Sequence, residues 1–133
     1  MTEALTRVHM YDLRDGETAF GWHAVINLRE CDASRLDSES EIANWVTGLV
    51  IEIGMKAYGD PRIDHFGHAD PVTAGYTCVQ LIETSSITAH FSPYLRTAYV
   101  DVFSCQEFDV RQAARFTQQA FRAGSANVLW IER

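Results

Sequence analysis

Gly75–Cys105, reading GYTCVQLIETSSITAHFSPYLRTAYVDVFSC, is the stretch on which the fold turns. Tyr76–Thr84 and Ile87–Phe91 are runs of apolar and β-branched residues, separated by a polar break at Ser85-Ser86. Such runs read as strands. Ser92-Pro93 opens a turn, and Thr97–Cys105 then alternates, with Ala98, Val100 and Val102 opposing Tyr99, Asp101 and Phe103. Strands joined by turns this short pair antiparallel, because a parallel pair needs a crossover of a dozen residues or more. Upstream, residues 62–69 form a weaker strand, closed by Asp70-Pro71. Gly21–Glu30 places Trp22, Ala24, Ile26 and Leu28 on one parity, the pattern of a half-buried strand. Leu5–Asp12 is expected as an edge strand, with a turn at Arg14-Asp15-Gly16-Glu17.

Two segments carry helical spacing instead. Ser38 with Glu41 three residues on makes a capping box. Behind it Ile42, Trp45, Val46, Leu49, Val50 and Ile53 share one helical face, which predicts a helix from about Ser40 to Tyr58 stopped by Gly59-Asp60-Pro61. Asp109 caps a second helix with Val110, Ala113, Ala114, Ala120 and Phe121 inward, ended by Gly124, and Ala126–Ile131 is a closing strand. The order predicts one α+β domain over residues 1–133, a two-layer sandwich of an antiparallel sheet with two helices packed on one face. The other face is left bare, so a homodimer or higher homo-oligomer is expected. Trp22, Trp45 and Trp130 belong to apolar faces and read as core. His65 and His68, three apart on a strand, are expected on opposite sides, which argues against a metal site there.

Composition narrows the chemistry. The chain of 133 residues has 18 acidic and 11 basic side chains, a formal charge of −7. An acidic chain without a basic cluster does not suit nucleic acid, which needs a positive stripe to displace counterions. No apolar run is long enough for a membrane span, and Trp45–Met55 is interrupted by Glu52. Cys31, Cys78 and Cys105 are odd in number and far apart, which argues against zinc or a disulfide framework and for a reducing cytoplasm. Lys56 is the only lysine, so a pyridoxal Schiff base would have one candidate.

Within Gly75–Cys105, Ser85, His90 and Cys105 are a hydroxyl, an imidazole and a thiol, the minimum set for nucleophile, base and acid. A turn at Ser92–Thr97 folds Cys105 back toward Thr84 and Ser85, so the three are expected to converge. Each also has a plain alternative: turn serine, hydrogen-bonded strand histidine, small buried hydrophobe.

The stretch resembles the short prokaryotic S-adenosylmethionine decarboxylases, self-cleaving enzymes with a pyruvoyl group in place of pyridoxal phosphate. Their pattern runs G-V-[ST]-G, a hydrophobic strand, E-S, I-x-x-H, W-P-E and D-[VI]-F-[ST]-C. Here GYTC, VQLI, Thr84-Ser85, Ile87-Thr88-Ala89-His90, Ser92-Pro93-Tyr94 and Asp101-Val102-Phe103-Ser104-Cys105 fall in register without a gap. The resemblance implies a zymogen cleaved between Thr84 and Ser85, with the pyruvoyl cofactor made from Ser85. It further implies His90 as the processing base, Thr77 as the hydroxyl that steadies the intermediate, and Cys105 as the proton donor, held protonated by partial burial. The expected activity is a carboxy-lyase of polyamine (spermidine or putrescine) biosynthesis acting on a small cationic amino-acid-type substrate.

Three departures bear on that substrate. The glutamate of W-P-E, which binds the ribose hydroxyls of S-adenosylmethionine, is Tyr94 here; the residue before the cleaved serine is Thr84, with Glu83 one step away; and the histidine after the serine is Ser86. The ribose contact being lost, a basic amino acid, ornithine or arginine, is the expected substrate, with S-adenosylmethionine as the alternative. Glu83, Tyr94 and Phe66 are the candidate substrate-binding residues, although the spacing around Phe66 does not register well. A homologue that keeps the fold without cleaving is the alternative from another class.

Overall fold

The computed structural model describes residues 20–133 and, as backbone alone, residues 7–9, 11–12 and 16–17. Its sheet is built from β1 (Arg7–His9), β4 (Trp22–Arg29), β5 (Arg62–Phe66), β6 (Gly75–Ile82), β7 (Ser85–Ser92), β8 (Thr97–Ser104) and β9 (Ser125–Glu132), in the order β1-β9-β4-β8-β7-β6-β5. Every pairing is antiparallel except that of β1 with β9, which adds the expected N-terminal edge strand in parallel. Two further short strands, β2 (Tyr11–Asp12) and β3 (Gly16–Glu17), pair with each other; of the turn expected at Arg14–Glu17, Arg14 and Asp15 lie outside the described residues, while Gly16 and Glu17 are strand, not turn.

The register sorts the side chains into two faces. One carries the rows Gln80–Ile87–Val102–Ala24–Trp130 and Cys78–Ala89–Val100–Ile26–Val128. Those residues, except the half-buried Val128, are at most 4% exposed and pack with Trp45, Leu49, Ala113 and Phe121 of the helices. Trp45, Phe91 and Phe121 meet ring to ring at 5.1–5.8 Å, and the Trp45 indole donates to the buried Thr117 hydroxyl at 3.0 Å. The opposite face carries Val79–Thr88–Asp101–Val25–Leu129 and Thr77–His90–Tyr99–Asn27–Asn127. No described helix covers it, and Tyr99, Leu129 and Leu81 stand 40–50% exposed there. The α+β two-layer architecture is therefore as expected.

The helices differ from expectation in number and length. A short α1 (Ala33–Leu36), capped by Asp32, precedes α2 (Glu39–Glu52) and α3 (Val110–Ala120). Ser38 caps α2 and Asp109 caps α3 as read from the sequence. Glu41 completes only half of a capping box, since its carboxylate faces Arg35 at 3.5 Å. Helix α2 ends at Glu52, six residues before Tyr58, because Gly54 turns left-handed (φ +71°) and Met55–Tyr58 leaves to join the end of β6. There Tyr58 N–H donates to the Leu81 carbonyl, Glu83 N–H donates to that of Lys56, and Ala57 bridges Ile82. A second correction concerns the polar break, which lies at Glu83-Thr84. Ser85 and Ser86 are the first residues of β7.

Candidate active site

The Thr84–Ser85 bond lies at the tip of the β6–β7 hairpin, where Ile82 pairs with Ser85 across a two-residue turn. Two-residue hairpins favour turns with positive φ, yet neither Glu83 nor Thr84 adopts one. The turn is held from outside instead. Cys105 N–H donates to the Thr84 carbonyl at 3.1 Å, and the Thr84 and Ser104 hydroxyls lie 2.7 Å apart, with Met55 Sδ 3.4 and 3.5 Å from them. Ser85 opens the row Ser85–Ser104–Trp22 on the helix-covered side of the sheet and is half-buried. The carbonyl next to the serine hydroxyl is thus already polarised by a fixed backbone donor.

A second cluster sits at the other end of β7. His90 pairs with Thr77, and its Nδ1 is 2.7 Å from Thr77 Oγ1 while its Nε2 is 3.0 Å from the Thr73 carbonyl. A carbonyl only accepts, so Nε2 carries the proton and Nδ1 accepts from the threonine hydroxyl. Phe66, half-exposed at the end of β5, lies against the same imidazole with ring centroids 6.2 Å apart and planes 30° from parallel. Poor spacing in sequence therefore did not keep Phe66 from His90, since β5 pairs with β6 and brings its last residue alongside.

These clusters do not converge within one chain. Ser85 and His90 are five residues apart on one strand, which puts them on opposite faces and about 16 Å apart. Hydroxyl and imidazole, expected together, are separate; serine and cysteine are together. Cys105 departs from expectation in one respect: it lies just past β8 and is exposed, so burial does not shield its thiol in the single chain. The other two cysteines are buried, and burial pushes the Cys31 thiol up to about 11 and that of Cys78 up to about 12. Only Cys105 combines access with proximity to Ser85.

The remaining candidates sit on turns. Glu83 is exposed at the hairpin tip, and Tyr94 is 69% exposed in the turn between β7 and β8. His65 and His68 prove to be stacked, with rings 4.8 Å apart, because Gly67 (φ +80°) ends β5 and turns the chain back. Among the described residues no group of three or more metal-binding side chains converges. The sequence reading missed His23, whose Nε2 meets Asp101 Oδ1 at 2.9 Å on the uncovered face. It also missed Thr73 and Met55, and gave Ser104, quoted within the motif, no role of its own. Polar parity on β4 was the sole signal for His23, and the loop residues had none, since each partner is distant in sequence.

Fold and site together define an α+β enzyme scaffold with a serine at a hairpin tip. The family model for S-adenosylmethionine decarboxylase matches residues 22–133, and the chain belongs to that family. Among its relatives, the S-adenosylmethionine decarboxylase proenzyme of Caldicellulosiruptor saccharolyticus is 29% identical over 116 residues, covering 86% of this chain and 89% of that one. The proenzyme of Parasynechococcus marenigrum is 30% identical over 95 residues, covering 71% and 69%. In fold, the crystal structure of the adenosylmethionine decarboxylase from Aquifex aeolicus matches with a TM-score of 0.72 at 23% identity, covering 86% of this chain and 91% of that one. The reading toward ornithine or arginine finds no support in these relatives, whose names specify S-adenosylmethionine.

Proposed function

We propose that this protein is a self-processing, pyruvoyl-dependent S-adenosylmethionine decarboxylase assembled from at least two copies. The observation that carries the reading is the Thr84 carbonyl, held by Cys105 N–H beside the Ser85 hydroxyl. Addition of Ser85 Oγ to that carbonyl and breakage of the 84–85 C–N bond gives an ester, the hydroxyl proton passing to the freed amine. Cys105 N–H stabilises the negative charge that gathers on the oxygen. An imidazole then removes the α-proton of residue 85, the ester C–O bond breaks, and Thr84 departs as a carboxylate. The dehydroalanine left behind tautomerises to an imine, takes up water and loses ammonia, leaving a pyruvoyl carbonyl at residue 85.

His90 of the same chain does not reach that α-proton across about 16 Å of strand. A second copy, docked on the uncovered sheet face, is the source we assign to the imidazole. The bound pyruvoyl carbonyl supplies the electron sink for loss of carbon dioxide. Around it, Cys105 supplies the proton that replaces the carboxylate, and Phe66, which lies against His90 and so comes with it from the second copy, offers a flat ring for a purine. That stacking surface favours S-adenosylmethionine over ornithine and arginine, which have no ring to place on it. Tyr94 is left with a single hydroxyl for the ribose.

Two measurements test this. Intact mass of the purified protein should give two chains, residues 1–84 and residues 85–133 carrying a pyruvoyl group. Carbon dioxide release, followed separately with the three substrates, should be fastest with S-adenosylmethionine. An uncut, inactive chain would sink the enzyme reading in favour of a non-cleaving homologue, and a preference for ornithine or arginine would restore the basic-amino-acid reading.

A further inference from the structure

Ser104 stands out on the covered face of β8. The residues sharing its parity, Ala98, Val100 and Val102, are apolar and buried, and Ser104 itself is 0% exposed. A buried hydroxyl costs stability unless it is bonded, and a small apolar residue would fill this row without that demand. The Ser104 hydroxyl is fully engaged. It accepts from Gln106 N–H at 3.0 Å, lies 2.7 Å from Thr84 Oγ1, and has Met55 Sδ at 3.5 Å. One residue on, Cys105 N–H holds the carbonyl of the same Thr84. Side chain and carbonyl of residue 84 are therefore gripped by consecutive residues of β8 and its end, while Ser85 pairs with Ser104 across the ladder.

We propose that Ser104 is a positioning residue for self-cleavage. Through the Thr84 hydroxyl it fixes the plane of the 84–85 peptide, so that the carbonyl stays on Cys105 N–H and its carbon faces Ser85 Oγ. Ser104 makes and breaks no covalent bond. Met55, delivered by the early end of α2, backs the hydroxyl pair with a weak acceptor and excludes a better competitor. The proposal rests on the self-processing reading and adds to it a residue outside the nucleophile, base and acid.

The test is a double-mutant cycle on the cleavage rate of freshly translated chain, read by intact mass. Ser104→Ala and Thr84→Val should each slow cleavage roughly fivefold to tenfold, the worth of one neutral hydrogen bond. The double variant should be no slower than the slower single one, because both remove the same contact. Ser104→Thr, which keeps the hydroxyl, should restore the rate, and Thr84→Val, which leaves the bond from Gln106 N–H to Ser104 intact, should slow cleavage with a thermal midpoint close to that of the unaltered protein. Cleavage of Ser104→Ala at the unaltered rate, or multiplying losses in the double variant, overturns the positioning role alone. A chain that never cleaves even unaltered overturns the self-processing reading and this role with it.

Discussion

At the scale of single residues, the chemistry depends on which groups are reachable. Cys105 is exposed beside the Thr84–Ser85 turn, whereas Cys31 and Cys78 are buried with thiols pushed up to about 11 and about 12. The thiolate is the species that alkylates, so at neutral pH iodoacetamide should place one group per chain, on Cys105. Peptide mapping checks the position, and labelling should remove decarboxylation from processed protein. Labelling of Cys31 or Cys78 first would contradict the assignment. Residue type and spacing single out Ser85, His90 and Cys105 as candidates in the sequence, and the family resemblance alone adds Thr77. Their grouping was not legible there. Odd separation along one strand already sets Ser85 and His90 on opposite faces, an implication that proximity in sequence concealed.

Among elements, the docking of α2 on α3 turns on Trp45. Its ring is nearly inaccessible, lies against Phe91 and Phe121, and bonds Thr117 of α3 through its indole N–H. Trp45→Phe keeps an aromatic ring but strands the Thr117 hydroxyl, so the loss should be about 2–4 kcal/mol, combining lost burial with an unsatisfied buried hydroxyl. Urea unfolding measures it, and the added change Thr117→Val should recover part of the loss. The amphipathic spacing from Ile42 to Ile53 made α2 visible in sequence. Its end was only half legible: Gly54, which closes the helix, is a stop signal in the sequence, but nothing local keeps Met55–Tyr58 from resuming the helix before Gly59. Those residues leave the helix for hydrogen bonds with Leu81 and Glu83, partners that only the folded sheet supplies.

For the whole molecule, the separation of the two clusters yields the sharpest prediction. If His90 of one copy serves Ser85 of the other, neither Ser85→Ala nor His90→Ala forms the pyruvoyl group alone. Ser85→Ala has no nucleophile, and His90→Ala stalls at an ester that hydroxylamine cleaves. Co-expressed, they build one complete site, Ser85 from the His90→Ala chain and His90 from the Ser85→Ala chain. Mass analysis should then find the His90→Ala chain cut and carrying the pyruvoyl group. Persistent stalling in the mixture, in spite of dimers, would place the base within the same chain.

What the amino-acid order determined by itself is local. Strand alternation, helix faces, caps at Ser38 and Asp109, and the run from Thr77 to Cys105 follow from near neighbours, whose spacing sets which side each residue takes. Tertiary structure decided the rest: the early end of α2, the stacking of His65 on His68, the approach of Phe66 to His90, and the grip of Ser104 and Cys105 on Thr84. Except for the histidine pair, which a left-handed Gly67 brings back on itself, each joins residues 20 or more positions apart. Such contacts arise from strand order and register, and no window of sequence contains both partners together with the sheet that aligns them.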